Sequence, residues 1–176
     1  MRTKLQRIGL HLFIFVATLT SSLAWGAGWE TWNGSSWLTG ASSFSISGPA
    51  IFIVLGNQVP CSFAFNLQLS GGTLGVVSMT GTGSSACSSI SMRSLPWILS
   101  APSPISGAPA VNFSFPVSFV YSGFNCSGTI SATMTNANPN SSHTNNSVTF
   151  NATLGSCTLK TNPSFATTLP VQAFFP

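Results

Sequence analysis

Apolar and polar residues alternate with period two along most of this chain, and that pattern limits the possible folds more than any other feature. Cys61, Phe63, Phe65, Leu67 and Leu69 are apolar, while Ser62, Asn66, Gln68 and Ser70 between them are polar. Val111, Phe113, Phe115, Val117, Phe119 and Tyr121 repeat the phase over a longer run. Ile130, Ala132 and Met134 follow, then Val148, Phe150, Ala152 and Leu154. Successive strand side chains point to opposite faces, so these runs read as half-buried antiparallel strands, one face on a core and one in water. No stretch sustains a helical period. Turn residues separate the runs at Ser70-Gly71-Gly72, at Thr80-Gly81-Thr82-Gly83 and from Asn136 to Asn146. The expectation is an all-β protein, an antiparallel sandwich or barrel-like fold of roughly ten short strands.

The first residues have the layout of an export signal. Arg2, Lys4 and Arg7 are basic, Ile8 to Thr20 is apolar but for one His, and Ser22 and Ala24 are the small residues of a cleavage site before Trp25. The apolar run is short of the ~20 residues a membrane helix needs. Residues 1–24 are therefore expected to be a signal peptide, 25–41 a Trp-rich N-terminal arm and 42–176 the β domain.

Cleavage changes the charge account. Three of the five Lys and Arg residues leave with the signal, and Arg93 and Lys160 remain against Glu30. His143 is the only other ionisable side chain of these types left. Nucleic-acid binding needs clustered basic groups to displace counterions, so no nucleic-acid partner is expected. The polar surface must come from Ser, Thr, Asn and Gly. A surface so near neutrality favours association, with copies of itself or with apolar material.

General acid–base catalysis needs a positioned proton carrier, and the mature part has no Asp, one Glu and one His. His143 lies in a polar loop and reads as a solvated residue. No catalytic residue, metal site or cofactor is expected, and the chain is not read as an enzyme. The four cysteines, Cys61, Cys87, Cys126 and Cys157, lack metal-ligand spacing and are even in number, which in an exported chain implies two disulfides. Each half of the β domain looks like a hairpin stapled near its base. Cys61–Cys87 with Cys126–Cys157 is therefore favoured among the three possible pairings.

The segment Trp25 to Leu38 holds Trp25, Trp29, Trp32 and Trp37 and shows no alternation; the chain closes on a strand-like stretch ending Phe174-Phe175-Pro176. Those aromatic residues are the candidate subunit or apolar-surface contacts. Two readings of the arm stand level: it reaches a neighbouring subunit or apolar surface, or it packs over one end of its own barrel.

In order, Cys61 on an alternating strand, Cys87, Leu95-Pro96-Trp97, Cys126-Ser127-Gly128-Thr129, Asn151-Ala152-Thr153-Leu154 and Cys157 resemble the bacterial PraB-like family of alkane-oxidation protein activators. The resemblance runs from about Phe44 to the C-terminus and does not reach the Trp-rich arm. It implies a secreted or cell-surface protein of a Gram-negative bacterium, linked to growth on hydrocarbons and to surface or biofilm properties. The first functional expectation is a structural protein that self-assembles into fibres or biofilm matrix by strand addition between subunits. The alternative is a surface-active or hydrocarbon-binding protein that supports alkane utilisation.

Overall fold

The computed structural model describes residues 26–176, so the expected signal peptide and Trp25 lie outside the described residues. Fourteen strands and one short helix follow one another: β1 Gly28–Trp32, β2 Trp37–Leu38, β3 Ser42–Val54, β4 Asn57–Ser70, β5 Thr73–Thr82, α1 Ser85–Ser88, β6 Ser91–Met92, β7 Trp97–Ile98, β8 Ser103–Pro104, β9 Ala110–Tyr121, β10 Phe124–Thr135, β11 Ser147–Leu154, β12 Cys157–Thr161, β13 Phe165–Thr167 and β14 Val171–Phe174. The class is the expected one, all-β and antiparallel. The strand lengths are not: β3, β4, β9 and β10 reach 13, 14, 12 and 12 residues.

Tight turns explain this. Both residues of Gly71-Gly72 and of Ser122-Gly123 have positive φ, the geometry of a two-residue hairpin loop whose twist matches that of the strands it joins. Pairing therefore runs to the very tip, as in Ser70 opposite Thr73 and Tyr121 opposite Phe124. The expected turn at residues 80–83 is a different case. Gly81 stays inside β5, and it is glycine because the Cys87 carbonyl oxygen of α1 occupies the place a Cβ would take.

The large sheet has the order β6-β9-β10-β11-β12-β3-β4-β5-β7, with β13 against β11 and β3 and β8 against β9. It curls so that its two long end strands, β9 and β5, come to lie on either side of one strap, residues 91–104. Along β9 the strap pairs at Ser91–Val120 and Met92–Phe119, bonds at Arg93 N to Ser118 O and Ser100 N to Ser114 O, and pairs again at Ser103–Asn112. On its other side Ile98 and Trp97 pair with Gly75 and Val76, and Leu99 N donates to Leu74 O. The result is a closed, barrel-like sandwich. Trp97 is its inward plug, 2% exposed, with Nε1 donating to Arg93 O at 2.9 Å.

The alternating residues line the interior as the sequence implies: Cys61, Phe63, Phe65, Leu67 and Leu69 of β4 and Val111 to Phe119 of β9 are all buried in phase. Aromatic rings meet across the core, Phe65 against Phe115 at 6.1 Å and Phe52 against Phe119 at 5.7 Å. Such pairs add about 0.5–1.5 kcal/mol each to the burial of their area.

The Trp-rich arm is part of this domain rather than an appendage. β1 pairs with β14 from Gly28–Phe174 to Thr31–Val171 and with β2 at its other edge. Trp29 and Thr31 are buried on one face of β1, whereas Glu30 and Trp32 on the other face are only half-buried. With polar Thr31 on the covered face and the indole of Trp32 on the half-open one, residue type does not follow burial in β1, which accounts for the missing period.

Candidate functional site

Of the residues singled out from sequence, the four cysteines are joined as expected, Cys61 to Cys87 and Cys126 to Cys157, with Cα separations of 5.7 and 5.5 Å. The first bridge holds α1 against the open end of the β4–β5 hairpin. The second ties β10 to the start of β12. Registered pairing of β10 with β11 covers only Ala132–Met134 against Val148–Phe150.

The aromatic contact set divides. Trp25 lies outside the described residues. Trp29 is 1% exposed; its ring meets Phe113 edge-on at 5.3 Å and its Nε1 donates to Ser100 O. Trp29 is thereby removed from the candidate contacts, because its ring completes the core under the strap. Phe174 is half-buried over Gly28 and Gly72, where a Cβ would meet its ring at 2.6 and 3.2 Å, and Phe175 is exposed. These phenylalanines lie at the Gly28 end of β1, roughly 13 Å from Trp32 at ~3.3 Å per strand residue.

Trp32 and Trp37 do come together. They face each other across the β1–β2 turn, paired in register, with ring centroids 5.4 Å apart. The turn is set by Asn33, whose Oδ1 accepts from the backbone N–H groups of Ser35 and Ser36. His143 completes the group: its imidazole stacks on Trp32 at 3.9 Å with a 22° interplanar angle and lies 5.7 Å from Trp37. The sequence implies a solvated loop residue at His143. It is exposed, but it is also an aromatic partner.

What brings His143 there is a pair of buried asparagines that the sequence did not single out. Asn146, 1% exposed, donates through Nδ2 to the carbonyls of Asn136, Val171 and Thr135 at 2.8, 2.9 and 3.1 Å, while its Oδ1 accepts from Val171 N at 2.8 Å. Asn140, equally buried, donates to Thr144 O and Val171 O. Together they clamp the loop 136–146 to β14, and β14 carries β1 with Trp32. Only a local excess of Asn marked this loop, and that is equally a mark of ordinary turns.

Beside this group a cleft of about 480 Å³ opens between the β1–β2 turn and the Leu169-Pro170 segment, with Thr31, Trp32, Leu38, Ala41 and Ser42 on its walls. Among the described residues, no Asp, Glu, Lys, Arg or His lines it. A second concavity of similar size, about 460 Å³, lies on the outer face of β9 and β10 and is instead lined by Ser100, Ser103, Asn112, Ser114, Ser131 and Thr133. Among the described residues there is no group of three or more His, Cys, Asp or Glu placed to hold a metal ion, and no helix is long and apolar enough to cross a membrane. The carboxylate of Glu30 accepts from Gln172 Nε2 at 2.8 Å on the neighbouring strand.

A family model described as alkane oxidation protein activator PraA/PraB-like matches residues 8–169. The chain belongs to the PraA/PraB-like family. The match takes in the Trp-rich segment, which the resemblance from Phe44 onward left out, so the β1–β2 hairpin falls within the PraA/PraB-like region along with the barrel. No curated protein matches the chain, and no solved structure does. The Leu95-Pro96-Trp97 motif, one of the set shared with the PraA/PraB-like family, is the centre of the strap. The family description names an activator linked to alkane oxidation, not a catalyst.

Proposed function

We propose that this protein is an exported, non-enzymatic helper of alkane utilisation that works by adsorbing to apolar material outside the cell. One observation carries the reading: Trp32, Trp37 and His143 form a partly exposed aromatic group beside Leu38, which is 44% exposed, on an exterior with almost no charge. Indole rings suit boundaries between wet and oily phases, and exposed apolar patches mark interaction sites. Two disulfides and the expected signal peptide support export to an oxidising compartment. Depletion of the purified mature protein from water by hexadecane droplets tests the reading. Wild type is expected to leave the aqueous phase, while a Trp32→Ser, Trp37→Ser double variant with an unchanged melting temperature stays behind. Equal depletion of the two proteins would remove the reading.

Self-association into fibres or biofilm matrix is the second reading, supported by the same lack of charge. Strand addition, however, needs a free edge; the end strands β9 and β5 of the large sheet are occupied by the strap and α1, which leaves the two-residue β2 as an end strand of the small sheet. Fibres would therefore have to grow on the short β2 edge or by exchange of a segment already paired, such as β1. Filaments in negative-stain images of the mature protein would establish this reading over the first; monodisperse particles at all concentrations would remove it.

A further inference from the structure

We infer that the cleft between the β1–β2 turn and Leu169-Pro170 is a binding site for one unbranched alkyl chain. The inference rests on the adsorption reading but goes further, from a sticky surface to a saturable site. Three features of the cleft select this occupant. Its volume, about 480 Å³, falls within the range of about 300–1,000 Å³ usual for small-molecule sites. Its walls are apolar where they can make contact: Trp32, Leu38, Ala41, Leu169 and Pro170.

The third feature is that several of its polar groups already bond within the protein. Thr31 Oγ1 and Ser42 Oγ bond each other at 2.8 Å, Pro170 O accepts from Trp32 N at 3.1 Å, and Asn33 Oδ1 holds its own turn. A sugar or peptide entering here would lose bonds to water and find few in exchange; a hydrocarbon chain has none to lose. With no ionisable side chain on the walls, nothing would hold a charged head group in the cleft. The hydroxyl-lined concavity on β9 and β10 has the opposite character, which shows that size alone does not make the selection.

Trp32 serves both parts of the surface, since it stacks on His143 and also lines the cleft. Occupation of the cleft should therefore change its fluorescence. The test uses 1-decanol, kept below its solubility limit, titrated into the intact mature protein and followed by tryptophan emission and by calorimetry. Wild type is expected to bind one molecule per chain, saturably. Ala41→Trp, which fills the cleft from a position already exposed, is expected to weaken binding by roughly tenfold or more, the scale on which lost apolar pocket contacts count. Leu38→Ser, at an exposed wall position, is the second variant should Ala41→Trp melt early. It is expected to weaken binding several-fold.

Unsaturable uptake by wild type, or wild-type affinity in a folded variant, would overturn the inference. Hexadecane adsorption without saturable 1-decanol binding would overturn the alkyl site and leave the adsorption reading standing. Failure of both measurements would overturn both.

Discussion

Replacing Asn146 with alanine should be among the most damaging single changes in this protein, although the residue sits in what reads as a polar loop. Its side-chain Oδ1 accepts from Val171 N at 2.8 Å, and that residue is fully buried on its strand. Leaving such a donor without a partner costs about 1–3 kcal/mol. The carbonyls of Thr135 and Asn136 also lose their Asn146 donor, at about 1 kcal/mol net for each bond. Val171 O keeps a bond from Asn140 at 3.3 Å and adds little. The sum is about 3–5 kcal/mol, which corresponds to a fall of roughly 6–20 °C in melting temperature for a chain of this size.

Scanning calorimetry and urea denaturation of the oxidised protein would measure it. Asn146→Asp should not rescue the loss. It keeps the oxygen that faces Val171 N but sets a second oxygen against three carbonyls, where a donor is required. A loss below about 1 kcal/mol for the alanine variant, or recovery in the aspartate variant, would refute the hub. Because the same clamp carries His143, the alanine variant should also loosen the stack on Trp32, visible as a change in tryptophan emission before unfolding.

Trp29→Ala should cost about 3–5 kcal/mol as a core truncation, whereas Trp32→Ala, at a half-buried position, should cost less than half as much; similar urea midpoints for the two variants would contradict the division of the arm into a core anchor and a contact residue. Gly81→Ala would drive a methyl group into the Cys87 carbonyl and to within 2.9 Å of the Phe63 ring. Docking of α1 should fail, leaving the Cys61 and Cys87 thiols open to alkylation; complete oxidation at the wild-type melting temperature would show that the close approach does not matter.

The walls of the barrel were legible in the sequence because a local rule produces them. Each long strand alternates, and the inward residues of β4, β9 and β11 can be read off one by one. The disulfides were legible for a related reason: each bridge closes a stretch built on one hairpin, so sequence order approximates spatial order. The strap was not. Its paired pieces are two residues long, too short to show a period, and its place depends on β5 and β9 meeting across the molecule. The arm left two readings open because β1 is only five residues long and carries indoles on both its faces. Trp29 and Trp32 differ in role through their position relative to the barrel, which residue type does not reveal. The cleft draws on residues near both ends of the chain, Leu38 and Ala41 with Leu169 and Pro170, and no local pattern joins them.

The strap has a consequence for how this molecule would fail. Two long strands depend on one irregular stretch to satisfy their outer hydrogen bonds, and that stretch is pinned at its middle by a single indole, Trp97. Were it to peel away, both margins of the sheet would be bared together, with scarcely a lysine to discourage another chain from settling there. What guards the margins of the large sheet is a fastened seam rather than mutual repulsion, and Trp97 is the clasp.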